Sequence, residues 1–420
     1  MVSPASAPGR APAAWALLLL LAFIPAFISA AYAVAGLLLA AWIVALRREG
    51  RFPDSLRSPF VFLFAVLAIL TALSAAFSRE PGVSVRHLAG LTLLLIVPIA
   101  MDLVDRDARA RAICLALSAS GVVLGLIGIW QFVHGGDDLD NRIRATLSHY
   151  MTFAGLESIA ACLLLGVAFE ERGRRRWLGA LAAVPIAAVL MTYTRGAYVG
   201  IVAALLLYLA VRRPRGLLVL VPAVVAVFLL APPEIRQRIR SIADLSDTTN
   251  RDRIAMARAG GRMIADRPIF GLGPELVKPY YTLYRDPDAP RWRVPHLHNN
   301  VIQIAAASGV FAAAAYLALL GLFFWRVGAL LRIRRSNAGL TGSGDQTLIA
   351  AAAFLAVAAA SVAGLFEYNF GDKEVLMATL PLLALPFSRA MSRGAGERSA
   401  PMLAPEPAFE EDRAVRRIQS

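Results

Sequence analysis

Three short stretches hold the residues whose types and spacing could do chemistry. Thr194-Arg195-Gly196-Ala197-Tyr198 sets a guanidinium between two apolar runs, where a permanent charge is costly unless it snorkels to the surface or meets an anion. Pro295-His296-Leu297-His298-Asn299-Asn300 places two imidazoles two residues apart. A neutral imidazole titrating near neutrality is suited to act as a general base. Glu367-Tyr368-Asn369-Phe370-Gly371-Asp372-Lys373-Glu374 gathers carboxylates and an amide, readable as a solvated turn or as support for such a base. Two histidines so spaced can also chelate a metal with help from Asp286 or Asp288. No cysteine cluster or second histidine pair joins them, so no metal is expected. The two cysteines, Cys114 and Cys162, lie inside apolar segments and read as small core residues, which excludes a disulfide framework.

The elements that must position these groups are membrane helices. The chain has 420 residues, 58% of them hydrophobic and only 17% charged, with a mean hydropathy of +0.61. A soluble chain would carry roughly a quarter charged residues. A net charge of +14 would raise nucleic acid as a partner for a soluble protein, but 41 of the 43 basic residues are arginines in short clusters between apolar runs. Such clusters orient spans, and no nucleic-acid partner is expected. At about 20 residues per crossing, twelve spans are predicted, near 13–28, 30–46, 58–77, 87–103, 110–133, 149–169, 177–193, 196–211, 215–231, 299–325, 346–366 and 373–388. The first two share one apolar run, broken near Pro25 and Ser29; residues 29–33 also fit a small-residue cleavage site, the reading in which the first segment is a signal peptide.

Sorting the basic residues by side puts twenty-five on one set of segments and six on the short segments opposite, which assigns both termini to the cytoplasm. The remaining twelve sit in one long extracytoplasmic loop, about 232–298, between the ninth and tenth spans. The fold expected is therefore all-α and polytopic, with a transmembrane domain over 1–390 and a disordered cytoplasmic tail over 391–420. All five histidines, His87, His134, His149, His296 and His298, then fall on the side of the loop, as do both lysines, Lys278 and Lys373. Within the loop, residues 250–266 read as an amphipathic helix lying on the membrane face, with Ile254, Ala257 and Ile264 on one side and Arg251, Arg258 and Arg262 on others. Asp247 to Asn250 supply capping residues ahead of it. Pro268-Ile269-Phe270-Gly271-Leu272-Gly273 is a turn; its Gly-x-Gly follows no buried strand and is weak as a nucleotide fingerprint.

The order of these motifs resembles the O-antigen ligase and polymerase superfamily. The resemblance rests on Thr194-Arg195-Gly196-Ala197-Tyr198-Val199-Gly200, on Arg253 fifteen residues ahead of Pro268-Ile269-Phe270-Gly271-Leu272-Gly273, and on His298-Asn299 opening the next span. It covers about residues 140–375. Where relatives often carry a Trp four residues after the loop arginine, this chain has Ala257, and Arg251 competes with Arg253 for the arginine's role. The resemblance implies a glycosyltransferase of the bacterial inner membrane, working at the periplasmic face without metal, ATP or other cofactor. The donor would be a glycan on undecaprenyl diphosphate. In the ligase branch the acceptor is the lipid A core; in the polymerase branch it is a second lipid-linked glycan; sister members glycosylate proteins. Arg195 and Arg253 resemble the arginines that contact the diphosphate, and His298 resembles the proposed base with His296 as its partner. His149, Glu367, Asn369 and Asp372 are the candidate supporting residues. Guanidinium groups suit the charge that develops on a departing diphosphate, and a basic loop at the surface would attract anionic membrane lipids.

Two other classes compete with an enzyme. A transporter of anionic lipid would call for charged or broken helices at mid-membrane and an internal repeat, and no convincing repeat is present. A scaffold protein would leave the loop histidines dispensable.

Overall fold

A computed structural model of the protein describes residues 11–23, 28–50, 52–135, 142–171, 174–336 and 344–396, which contain helices and no strand. In chain order the helices are α1 (Ala11–Phe23), α2 (Ile28–Glu49), α3 (Pro59–Ala76), α4 (Pro81–Arg86), α5 (Ile96–Leu103), α6 (Asp107–Val133), α7 (Tyr150–Glu170), α8 (Ala183–Met191) and α9 (Arg195–Arg212). They continue as α10 (Leu217–Leu230), α11 (Pro233–Arg240), α12 (Thr248–Asp266), α13 (Val277–Tyr284), α14 (Asn300–Ser308), α15 (Val310–Ser336), α16 (Gly344–Ala363), α17 (Lys373–Ala384) and α18 (Arg389–Gly396). Tight 3-10 turns over His87–Leu95 and Arg174–Ala182 lead into α5 and α8. An all-helical answer follows from the apolar runs, since a segment surrounded by lipid must satisfy its backbone groups internally.

Among the described residues nine helices are long and apolar enough to cross a membrane, and three apolar helices, Ala11–Leu21, Trp177–Met191 and Pro214–Leu230, are shorter. The protein is thus a multi-pass membrane protein, with nine long spans where twelve were expected. One predicted boundary moves for a clear reason. The run 299–325 is not continuous: Gly309, at φ +88°, ends α14 and lets the chain turn into α15. A Cβ at Gly309 would overlap the carbonyl of Ile269. The span therefore begins at Val310.

The centre of the bundle is α16 packed between α7 and α9. Its alanines bring backbones close: Gly166 of α7 lies against Ala352, and Gly200 of α9 against the Ala359 carbonyl. Such small-residue contacts replace the hydrophobic driving force that lipid removes. The outward faces carry Phe62, Ile69, Leu126 and Trp325, an apolar exterior suited to acyl chains. One carboxyl lies within the spans: Glu157 of α7 is fully buried and hydrogen-bonds to nothing among the described residues.

Polar side chains collect at the two ends. At one, Arg111 pairs with Asp345, Gln346 donates to Asp107 at 3.1 Å, and Asp102, buried, accepts from Trp42 at 3.1 Å and pairs with Arg389 at 2.9 Å. That last bond ties α18 to the bundle, so the tail expected to be disordered from 391 is helical as far as Gly396; residues 397–420 lie outside the described residues.

The other end carries the long segment after α10, which folds on itself around Met256, Met263, Leu272, Leu276, Val277, Tyr281 and Leu297. The predicted helix is present as α12, capped by Asp247, whose carboxylate accepts from the backbone of Thr249 and Asn250. Its buried face differs from the expected one. Asp252, Ala255, Met256, Ala259, Gly260 and Met263 point inward, while Ile254 is exposed. The helix packs on α13 and α14 because the loop supplies its own apolar partners. The Gly-rich turn is a clamp: Leu272 and Gly273 donate to the carbonyls of Ala306 and Ala307 at 2.9 Å each, and Val310 donates to Pro268 at 2.8 Å. Ser74 of α3 also donates to Ala307, so the turn, α14 and α3 share one junction.

Candidate functional site

His298 is placed by its neighbours on both sides. Asn299 caps α14, its side-chain oxygen accepting from Ile302 N at 3.0 Å while its amide donates to the Leu365 carbonyl at 3.0 Å. Asn300, buried, donates to Asn369 Oδ1 at 2.7 Å and to Tyr316 at 3.0 Å, and accepts from Phe370 N. These bonds fix the start of α14 against the turn between α16 and α17. His298 itself adopts φ +50°, a left-handed conformation that costs a non-glycine residue roughly 1–2 kcal/mol. Tyr193 and Glu275, also left-handed, line the same cavity as His298; backbone strain of this kind collects at functional sites.

The turn brings Glu367 to the two imidazoles. Glu367 Oε2 lies 2.7 Å from His298 Nδ1, and Oε1 lies 3.1 Å from His296 Nε2. A carboxylate only accepts, so each facing ring nitrogen carries the proton. His296 Nδ1 accepts from the His298 backbone N–H at 3.3 Å, which occupies both His296 nitrogens. His298 alone keeps a nitrogen, Nε2, with no protein partner among the described residues. Burial holds His296 down at about 4, against the opposing pull of Glu367, so it is neutral at pH 7. For Glu367 burial pushes upward, but the hydrogen bond from His298 and the charges of His298, His296 and Arg253 prevail and hold it below the usual carboxylate range.

Facing this group are the arginines. Arg195, 4% exposed, donates from Nη1 to Ser241 O at 2.7 Å and Oγ at 2.8 Å, and from Nη2 to Asp247 at 2.9 Å. It thereby ties the start of α9 to the cap of α12, the helix that carries Arg253. Arg253 lies over the Phe366 ring at 6.0 Å, and no carboxylate lies within ion-pair distance of it among the described residues. Burial, then the charge of Arg195, lowers its pKa against the raising effect of Glu367. Arg251 is exposed and outside the cavity: two residues on a helix are about 200° apart, so only one of the pair can face inward.

The cavity itself measures about 620 Å³. His149, His296, His298, Glu367, Asp372, Arg195 and Arg253 line it; Asn369 does not, and serves the Asn300 lock instead. His149 caps α7, and Asp372 caps α17 while accepting from Thr152 at 2.5 Å. Asp286, a metal partner in the sequence reading, pairs with Arg262 away from the cavity. His296, His298 and Glu367 place one ligand atom each within 4.8 Å of one another, close enough to share an ion, though those atoms already bond to each other. Sequence reasoning did not single out Arg142 and Arg238, which also line the cavity. Arg238 donates to the Tyr193 carbonyl at 3.0 Å, and burial together with Arg195 and Arg142 lowers its pKa to about 10. Its signal was its place in Arg236-Gln237-Arg238, directly after the ninth apolar run. The wall toward α3 is apolar, with Leu67, Leu88, Leu91 and Leu94.

The fold and cavity define a helical membrane protein with a cationic, histidine-bearing chamber at one end of its bundle. The family model described as O-antigen ligase matches residues 180–317, which include Arg195, Arg253, His296 and His298 but not Glu367. Through this segment the chain is similar to the O-antigen ligase superfamily, and the match supports a membrane glycan enzyme of the ligase and polymerase type. No curated protein matches the sequence.

Proposed function

We propose that the protein transfers a glycan from undecaprenyl diphosphate to an acceptor hydroxyl, with the lipid A core as the acceptor. The observation that carries this reading is Arg253, a half-buried guanidinium without a carboxylate partner among the described residues, opening on the same cavity as the His298–Glu367 pair. A diphosphate would supply the missing anion, held by Arg253 with Arg195 and Arg238, while the carrier's polyprenyl chain lies along the apolar wall of Leu67, Leu88, Leu91 and Leu94.

The acceptor oxygen attacks the anomeric carbon, its proton passes to His298 Nε2, and the bond from that carbon to the diphosphate oxygen breaks, leaving the electron pair on the phosphate. Guanidinium groups stabilise that developing charge. Glu367 stabilises the imidazolium as it forms, and His296 holds Glu367 and the His298 backbone in place. His149 and Asp372 complete the cavity wall. No metal or other cofactor has a step in this scheme. The cavity faces the periplasm in the bacterial inner membrane, both termini are cytoplasmic, twelve segments cross when the three shorter helices are counted, and the transmembrane domain runs over 1–390 with the tail beyond it.

The test is reconstitution of the purified protein with a synthetic undecaprenyl-diphosphate glycan, a chelator, and either lipid A core or a second donor molecule. Glycan on lipid A core is the expected product. Elongation of the second donor would instead make the protein a polymerase, and no transfer to either acceptor would remove the glycosyltransferase reading, including its metal-independent form.

A further inference from the structure

At the end of the bundle opposite His298, α9 and α10 diverge from the turn that joins them and leave an open groove of about 870 Å³. Leu165 and Phe169 of α7 and Leu205 of α9 form one wall; Val219, Leu220 and Ala223 of α10 form the other. None of α10 is fully buried: Leu217 and Leu220 lean on the bundle, while Val219 and the residues beyond Leu220 are left largely uncovered among the described residues. With 14 residues it is about 21 Å long, short of the roughly 30 Å hydrocarbon core. An apolar gap at membrane depth does not hold water; acyl chains are the material at hand to fill it.

The apex of the groove is charged. Arg212, Arg213 and Arg215 line it, and one carboxylate, Glu170, answers them. Arg212 donates to the Leu331 carbonyl at 2.9 Å and stands 3.7 Å from Glu170. Arg213, about half exposed, stands 3.4 Å from the same group. Arg215 is exposed and makes no ion pair among the described residues. Three cations against one anion leave a net positive mouth above an apolar cleft. We propose that this groove binds an anionic membrane phospholipid, its head group on Arg213 and Arg215 and an acyl chain between α9 and α10. The bound lipid braces α10, which runs directly into α11 and Arg238 of the cavity. The proposal rests on the groove's shape and charge and not on the glycan-transfer reading.

Native mass spectrometry of the full chain, offered phosphatidylglycerol or phosphatidylcholine with the same acyl chains, tests this. Phosphatidylglycerol is expected to stay bound in preference, and the double variant Arg213→Gln, Arg215→Gln to weaken its binding by roughly tenfold or more. Val219→Trp, which fills the cleft and leaves the charges, is expected to displace the lipid from a chain whose thermal unfolding shows it folded. Equal retention of both lipids, or unchanged binding in Val219→Trp, overturns the proposal. So does an Ala223→Cys disulfide between two copies, which would make a second chain the occupant.

Discussion

His298 and Glu367 are 69 residues apart in the chain and 2.7 Å apart in space, imidazole Nδ1 to carboxylate Oε2. The contact fixes which nitrogen of His298 is protonated and leaves Nε2 as the acceptor. In the glycan-transfer reading, His298→Ala lowers turnover by roughly 10²–10⁴-fold. Glu367→Gln keeps the shape but can turn an N–H toward Nδ1 and favour the wrong tautomer, with a loss of roughly a hundredfold or more. The two losses should not add in the double variant. Full turnover in Glu367→Gln, measured in reconstituted vesicles, would remove Glu367 from the mechanism.

Arg251 and Arg253 separate cleanly. Arg253→Ala is expected to cost roughly 10²–10³ in turnover, and Lys at the same position to recover only part of it, because an ammonium lacks the bidentate fork. Arg251→Ala should retain near-normal activity. The reverse ranking would place the working arginine on the wrong face of α12.

The loop should be sensitive to acid. His296 is held at about 4 when folded, below its ordinary 6.5, so the unfolded chain takes up a proton first and stability falls as pH drops from about 6.5 toward 4. Glu367, held below its ordinary range, contributes stability above that range and loses it as pH falls through its folded value. Both effects act in the same direction. The thermal midpoint at pH 5 should lie below that at pH 7.5, and His296→Asn should narrow the gap; equal midpoints for the native chain would contradict this.

Gly309 carries the junction between loop and bundle. Its φ of +88° and the overlap a Cβ would make with Ile269 predict that Gly309→Ala destabilises by about 1–3 kcal/mol. Because Val310 N bonds to Pro268 beside it, limited proteolysis should cut within 268–298 faster in this variant.

Sidedness is directly measurable, since both native cysteines are buried and give little background. Arg251→Cys, on the exposed face of α12, should react with a membrane-impermeant thiol reagent added from the periplasmic side. Labelling from the cytoplasmic side alone would invert the proposed topology.

Much of this was legible in the sequence because its polar residues are few and sit where apolar runs end. Arg195, His296 and His298 stand out for that reason, Arg253 was picked out from the basic loop only by the family resemblance, and the cap at Asp247 follows from local chemistry. What was not legible depends on contacts distant in sequence. Glu367 reads equally well as a solvated turn until Asn299 and Asn300 are seen to hold that turn against α14. The inward face of α12 was misassigned because Ile254 looks like a core residue, whereas Met256, Ala259 and Met263 are the side chains that meet α13 and α14. Ser308-Gly309 was a readable helix stop inside an alanine-rich run, yet hydropathy averages across it.

The bonds of Arg195 to Asp247 and Ser241 bear on how a catalytic cycle ends. Two free guanidinium groups would grip a spent polyprenyl diphosphate at least as tightly as the loaded carrier, and the enzyme would stall on its own product. In the glycan-transfer reading Asp247 and Ser241 contend for the same N–H groups, so the guanidinium of Arg195 returns to partners that are always present as the diphosphate departs. In the glycan-transfer reading, weakening that competitor with Asp247→Asn would strengthen product inhibition and shift the slow step toward carrier exchange.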